Sequence, residues 1–64
     1  MPPAFVQTLR VLTRNWQTTP QLAERLGRIK QPALCNRLVE MLQEGLVERR
    51  AVEHKAHAYE WRLA

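Results

Sequence analysis

Apolar residues recur at helical spacing in the first quarter of this 64-residue chain. They predict a helix over residues 3–14, which is preceded by Pro2 and followed by Asn15, a residue suited to the end of a helix. Trp16 then opens a short extended segment, and we expect its ring to cover the core. The apolar stripe of the helix consists of Phe5, Val6, Leu9 and Leu12.

Two further helices are predicted on either side of a tight turn. Thr19 and Pro20 indicate a helix over residues 20–26, because a threonine hydroxyl caps free amides and proline suits the first helical position. Gly27 supplies the turn, and a third helix is predicted over residues 31–44. The buried stripe of the third helix consists of Leu34, Leu38, Met41 and Leu42.

After Gly45 the spacing of apolar residues changes to alternation. The alternation predicts a hairpin over residues 46–63, with its turn at residues 54–57. The predicted class is therefore α+β: one domain over residues 1–64, with three helices, a C-terminal two-stranded β-hairpin and a short strand near Trp16. This order of elements is that of a winged helix-turn-helix. The second helix of that motif, which is the third helix of this chain, enters the major groove of DNA.

The charge of the chain favours a polyanionic partner. Ten lysines and arginines oppose six acidic residues, which gives a net charge of +4 and a basic pI near 10.2. Most of the cations fall in or beside the turn, the third helix and the hairpin: Arg25, Arg28, Lys30, Arg37, Arg49, Arg50, Lys55 and Arg62. Nucleic acid is the predicted partner, and a merely solvated basic surface is the alternative.

The residues for catalysis or metal binding are missing from the composition. The chain has no serine and no aspartate, its two histidines fall in the predicted turn, and Cys35 is its single cysteine. We therefore predict no enzyme activity, no cofactor and no metal site. No apolar run approaches the length of a membrane span and no signal peptide is evident, so a cytoplasmic location without a membrane partner is expected.

Two segments resemble bacterial winged helix-turn-helix regulators. Residues 30–38, KQPALCNRL, resemble the start of the recognition helix of LysR-type regulators. Residues 44–50, EGLVERR, resemble the passage from helix to wing in MarR-type regulators. The resemblance covers residues 18–63 and implies DNA binding in a bacterial cytoplasm or nucleoid. The chain ends with the predicted wing, so the resemblance implies no ligand-sensing domain, and no small-molecule ligand is expected.

The predicted contacts with DNA fall into three groups. Side chains at the start of a recognition helix read base edges, and amide or guanidinium groups are the most informative. The predicted base-reading residues are Gln31, Pro32, Ala33, Asn36 and Arg37. The predicted backbone contacts are Thr18, Arg28 and Lys30, and the predicted wing contacts are Arg49, Arg50, His54, Lys55 and His57.

Other interpretations of the third helix stay open. Gln31 and Asn36 are equally well explained as solvated helix residues, and Arg37 can pair with Glu40 or Glu44. A carboxylate at Glu40 is unfavourable near phosphate, although it can accept a hydrogen bond from cytosine.

The predicted function is a small sequence-specific double-stranded DNA-binding protein that regulates transcription as a repressor by occupancy, with a phage or plasmid origin. A homodimer on an inverted repeat would add specificity, with contact through Phe5 or Leu9 of the first helix or through the C-terminal strand. The alternative is a winged helix that binds a protein partner within a nucleic-acid machine. A minor alternative is binding of Z-form nucleic acid, which Asn36, Arg37 and Trp61 suggest.

Overall fold

Three helices and a small antiparallel sheet make up the fold in a computed structural model, which describes residues 1–55 and 58–64. In chain order the elements are α1 (Pro3–Val11), β1 (Gln17–Thr18), α2 (Thr19–Arg25), α3 (Gln31–Gln43), β2 (Val47–Ala51) and β3 (Tyr59–Leu63). The predicted α+β winged helix-turn-helix class is confirmed, including the short strand beside Trp16.

Helix α1 ends at Val11, three residues before the predicted end at residue 14. Leu12 has an extended backbone, and Leu63 in β3 donates its backbone N–H to the carbonyl oxygen of Thr13 at 2.8 Å. This long-range bond holds the chain out of helical geometry before Asn15 is reached. Asn15 is not left-handed; its N–H donates to the hydroxyl of Thr13 at 3.0 Å.

Helix α2 begins one residue earlier than predicted, and Thr18 rather than Thr19 caps it. The backbone N–H of Gln21 donates to Thr18 Oγ1 at 3.3 Å, while the Thr18 N–H donates to Gln21 Oε1 at 2.9 Å. This reciprocal pair is a capping box and satisfies amides that the first turn leaves free. The hydroxyl of Thr19 is thereby released for a contact with β3.

Gly27 and Gly45 end α2 and α3 in the same way. Each has a positive φ, 81° and 74°, which glycine adopts without steric cost. After α3, the Leu46 N–H donates to the Met41 carbonyl at 2.9 Å and the Gly45 N–H to the Leu42 carbonyl at 3.0 Å, the bonding pattern of a Schellman motif. α3 therefore ends at Gln43, one residue before the predicted end, and the chain turns directly into β2.

Arg28 also has a positive φ, 62°, which the sequence pattern did not predict. A left-handed backbone costs a residue with a side chain about 1–2 kcal/mol, and glycine avoids this cost. Part of the gain is offset because glycine also makes the unfolded chain more flexible. The Nε–carboxylate pair of Arg28 with Glu24 joins two largely exposed side chains and adds little. We expect Arg28→Gly to raise the free energy of unfolding by about 0.5–1 kcal/mol in urea titrations. Arg28→Ala keeps the strained backbone and should not raise the free energy of unfolding. Equal stabilities of the two variants would contradict the assignment of strain to Arg28.

The sheet has the strand order β1-β3-β2, and both pairings are antiparallel. Arg49 and Gln17 lie opposite Trp61 on the two sides of the central strand, so these three side chains share the face that packs on the helices. The other face carries the charged pairs of the hairpin. The strand predicted to run from residue 46 to the turn at residues 54–57 is shorter in the structure. After Ala51, the Val52 N–H still donates to the Ala58 carbonyl at 3.0 Å, and the Lys55 N–H donates to the Val52 carbonyl at 3.3 Å in the turn that follows.

The core lies between the three helices and the inner face of the sheet. Its buried hydrophobic residues are Phe5, Leu12, Leu22, Ala23, Leu34, Leu38, Met41, Val47 and Trp61. Two predictions about the core are wrong. Val6 is exposed on α1, and Trp16 is half-buried outside the core cluster rather than covering it.

Candidate nucleic-acid interface

Helix α3 presents a polar face to solvent. Leu34, Leu38 and Met41 are fully buried, which fixes the rotation of the helix about its axis. The predicted base-reading residues Gln31, Pro32, Ala33 and Asn36 are all exposed. By helical spacing, Asn36 points away from the buried stripe, as a residue that enters a groove must.

Arg37 differs from the other predicted base-reading residues because its side chain is bound to α1. Its Nη1 donates to Thr8 Oγ1 at 3.1 Å, and the Thr8 hydroxyl donates to the Ala4 carbonyl at 2.8 Å. Thr8 is fully buried and Arg37 is half-buried. The alternative ion pairs of Arg37 with Glu40 or Glu44 are absent among the residues that the structure describes. Arg37 therefore joins α1 to the flank of α3.

The turn between α2 and α3 holds two of the predicted backbone contacts. Arg28 and Lys30 are exposed there, and Lys30 is the residue that precedes the first turn of α3. The third predicted contact, Thr18, accepts the capping bond of α2 and retains its O–H as a donor. Sequence reasoning missed the cap because Thr18 and Thr19 are both good capping residues.

The two neighbouring arginines of the wing lie on opposite faces of the sheet. The guanidinium of Arg49 lies over the Tyr59 ring, 4.5 Å from its centroid, on the face shared with Trp61. Arg50 donates to Glu60 Oε1 at 2.8 Å and lies over the Trp16 ring at 4.4 Å. A single duplex seated against α3 therefore reaches Arg49 more readily than Arg50.

Trp16 is enclosed by arginines on the outer face. The guanidinium groups of Arg50 and Arg62 each lie 4.4 Å from the centroid of its ring. Arg62 also donates to Glu48 Oε1 at 2.8 Å, which repeats the cross-strand pairing of Arg50 with Glu60. These contacts attach the segment before β1 to the hairpin. These contacts could not be predicted from the sequence, because they depend on which strand β1 joins.

The tip of the wing holds exposed polar groups. His54 has a positive φ of 68°, and its Nε2 lies 3.5 Å from Glu53 Oε1. Lys55 follows it and is exposed, with no ion pair among the described residues. The predicted contact of His57 lies outside the described residues.

A groove of about 390 Å³ brings three of the predicted groups together. Thr18 at the start of α2, Gln31 at the start of α3 and Lys55 at the wing tip all line it. Cys35 and Tyr59 contribute to its apolar part, and Cys35 is half-buried and unpaired. The start of the helix-turn-helix and the wing thus form one continuous surface.

Cations flank this surface, and the outward side of α3 carries none of them. Between Gln31 and Gln43 the single cation is Arg37, which is bound to Thr8, whereas Glu40 is exposed. Positive charge comes instead from Arg28 and Lys30 in the turn before α3 and from Lys55 at the wing tip. This division separates groups suited to phosphate from groups suited to base edges.

Trp61 is fully buried, and its Nε1 donates to Thr19 Oγ1 at 2.9 Å. A buried ring cannot contact nucleic acid, so Z-form binding loses one of the three residues that suggested it. The partner of this ring on α2 was not predicted from the sequence.

Sites of other kinds are not evident in the part of the chain that the structure describes. Over residues 1–55 and 58–64, no three metal-binding side chains come close enough to hold an ion. No helix within these residues has the length and hydrophobicity needed to cross a membrane.

The fold and this surface define a winged helix-turn-helix protein of the bacterial regulator type. The chain belongs to the HxlR-like helix-turn-helix family, whose sequence pattern matches residues 6–64. This is a family of DNA-binding regulators, so the predicted DNA binding and role in transcription regulation are supported at that level. No curated protein and no solved structure matches the chain significantly.

Proposed function

We propose that this protein binds a specific double-stranded DNA sequence in the cytoplasm and represses transcription by occupying that site, without catalysis. The proposal depends most on the groove lined by Thr18, Gln31 and Lys55, because it joins the helix-turn-helix to the wing beside the exposed face of α3. A duplex that receives α3 in its major groove passes its sugar–phosphate backbone along such a surface.

In this arrangement the start of α3 reads bases. Gln31 and Asn36 are the amide side chains suited to adenine, and Pro32 and Ala33 allow close approach to a thymine methyl group. Arg37 has donors beyond the one that bonds Thr8, and these are available to a guanine or a phosphate at the edge of the site.

Phosphates on both sides of the major groove are assigned to the flanking groups. Arg28 and Lys30 contact the backbone at the turn, and Thr18, which lines the same groove as Lys55, contacts it together with Lys55 and His54. Arg49 supports the wing contact from the inner face. Arg50 is assigned to stabilising the hairpin, because Glu60 and Trp16 already engage it on the outer face.

We further propose a homodimer that contacts an inverted repeat. Met1 and Val6 are 71% and 36% exposed, and they are the exposed large hydrophobic residues among those described. Both lie at α1, one side of which already packs on α3 through Phe5 and Thr8. A symmetric contact along α1 would bury them and place two α3 helices on successive half-sites.

The proposal is tested by selecting bound sequences from a random duplex library. The affinity for the selected sequence and for scrambled DNA is then measured at two salt concentrations. We expect a recovered motif, with a palindrome, bound at least about a thousandfold more tightly than scrambled DNA. Weak, steeply salt-dependent binding without a motif would contradict sequence-specific regulation and favour a protein partner. A motif without symmetry, bound by one chain, would contradict only the homodimer.

A further inference from the structure

The outward face of α3 carries a carboxylate without a counter-charge. Glu40 is exposed, and none of the ion pairs among the described residues includes it. The nearby cation on the helix, Arg37, donates instead to Thr8 Oγ1 at 3.1 Å. The charge of Glu40 is therefore presented to whatever approaches the helix.

Glu40 lies one turn beyond Asn36 on the exposed surface of α3, at the flank that adjoins Met1 and Pro2 before α1. A duplex that places base edges against Asn36 also places base edges near Glu40. This step rests on the function proposed above, because it takes α3 as the helix that enters the major groove.

A carboxylate interacts very differently with the four bases in that groove. It only accepts hydrogen bonds, and cytosine offers an amino donor at N4. Guanine and thymine present acceptor oxygens there, which repel it, and adenine places its N7 lone pair beside its amino group. Phosphates repel the carboxylate at every sequence. Such a group lowers affinity for DNA in general and lowers it least where a cytosine is present.

We propose that Glu40 is a specificity-determining residue that selects cytosine at one position of the DNA site. It acts mainly by exclusion: a guanine or thymine at that position leaves a desolvated carboxylate facing acceptor oxygens. Asn36, one turn before Glu40 on α3, is suited to adenine, so the site combines an adenine position with one cytosine position.

Glu40→Gln tests the proposal, with Glu44→Gln as the matched control. Both residues are exposed, and both substitutions remove one negative charge near the C-terminal end of α3, where Glu44 is the C-cap residue that follows Gln43. Selection experiments and affinities for single-base variants of the recovered site are measured for the wild-type protein and both variants. Thermal melts of all three establish equal folding.

We expect the wild-type protein to prefer cytosine at one position by about tenfold. Glu40→Gln should remove this preference or turn it towards adenine, because glutamine offers both a donor and an acceptor. Both variants should bind scrambled DNA more tightly by a similar factor, but Glu44→Gln should keep the cytosine position.

Two failures are distinguishable. A wild-type motif that Glu40→Gln leaves unchanged would overturn the role of Glu40 while the proposed regulator function stands. A cytosine preference that both variants lose alike would also overturn it, since the cause would then be the charge of the helix end. No motif for the wild-type protein would overturn the proposed function and this inference together.

Discussion

Trp61→Ala should remove a large part of the free energy of unfolding of this protein. Trp61 is fully buried at the centre of β3, between β1 and β2. Replacement of a buried tryptophan by alanine costs about 3–5 kcal/mol, because the lost burial is compounded by the cavity that remains. At about 0.05–0.15 kcal/mol per residue, a chain of this length has a total stability of roughly 3–10 kcal/mol. Urea titrations followed by circular dichroism measure the loss.

The buried hydrogen bond of Trp61 accounts for a separable part of this loss. Its Nε1 donates to Thr19 Oγ1 at 2.9 Å, and Thr19 is itself buried. Trp61→Phe keeps an aromatic ring but leaves the hydroxyl unsatisfied, which costs about 1–3 kcal/mol. Thr19→Val leaves the indole N–H unsatisfied instead. In a double-mutant cycle, the two changes together should cost less than the sum of their separate effects.

Trp16 provides the matched control on the opposite face of the sheet. It is half-buried, and its main contacts are the guanidinium groups of Arg50 and Arg62 at 4.4 Å. Cation–π contacts at exposed sites contribute about 0.5–1 kcal/mol each, so Trp16→Ala should cost clearly less than Trp61→Ala. Equal losses for the two tryptophans would contradict the assignment of Trp61 as the central core residue.

The features predicted from the sequence are those set by short-range chemistry. Pro20 and Gly27 mark the bounds of α2 to within a residue or two, because proline fixes φ and glycine permits a left-handed backbone. The stripe of Leu34, Leu38 and Met41 fixes which face of α3 is buried. The exposed face that follows from this stripe is the part of the candidate site that the sequence predicts well.

The features that were missed depend on which elements meet. Thr13 stops α1 early because its carbonyl accepts from Leu63, fifty residues later in the chain. The sequence did not predict the bond from Arg37 Nη1 to Thr8 Oγ1 of α1, at 3.1 Å. Local sequence cannot rank such partners, since each of them is chemically suitable and only the packing of helices decides between them.

The same distinction applies to the charges. The sequence shows a surplus of cations around α3, but it does not show that the outward face of α3 holds none of them. The structure turns Arg37 to one side and engages Arg50 and Arg62 in cross-strand pairs. The cations left for phosphate are fewer than the eight that the sequence places in or beside the turn, α3 and the hairpin, and each one should therefore matter more.

Removal of two such cations, Lys30→Ala with Lys55→Ala, should weaken binding to all DNA sequences. Both lysines are exposed, and no ion pair among the described residues includes them. Each phosphate contact contributes about 0.9 to the slope of log affinity against log salt. The double variant should therefore reduce the slope by about 1.8 and weaken binding by about 30-fold at 0.15 M salt. The recovered motif should not change, because phosphate contacts carry no sequence information.

The control removes the same charge from a different part of the surface. Arg10 lies in the last turn of α1, and Arg14 lies beside Glu48 and Arg62, at the end of the sheet away from the wing tip. Arg10→Ala with Arg14→Ala should change the salt slope by much less than the lysine pair, although the net charge falls equally. Equal slopes for the two double variants would mean that DNA affinity depends only on the total charge of the protein. The surface formed by the turn, α3 and the wing would then not be the binding face.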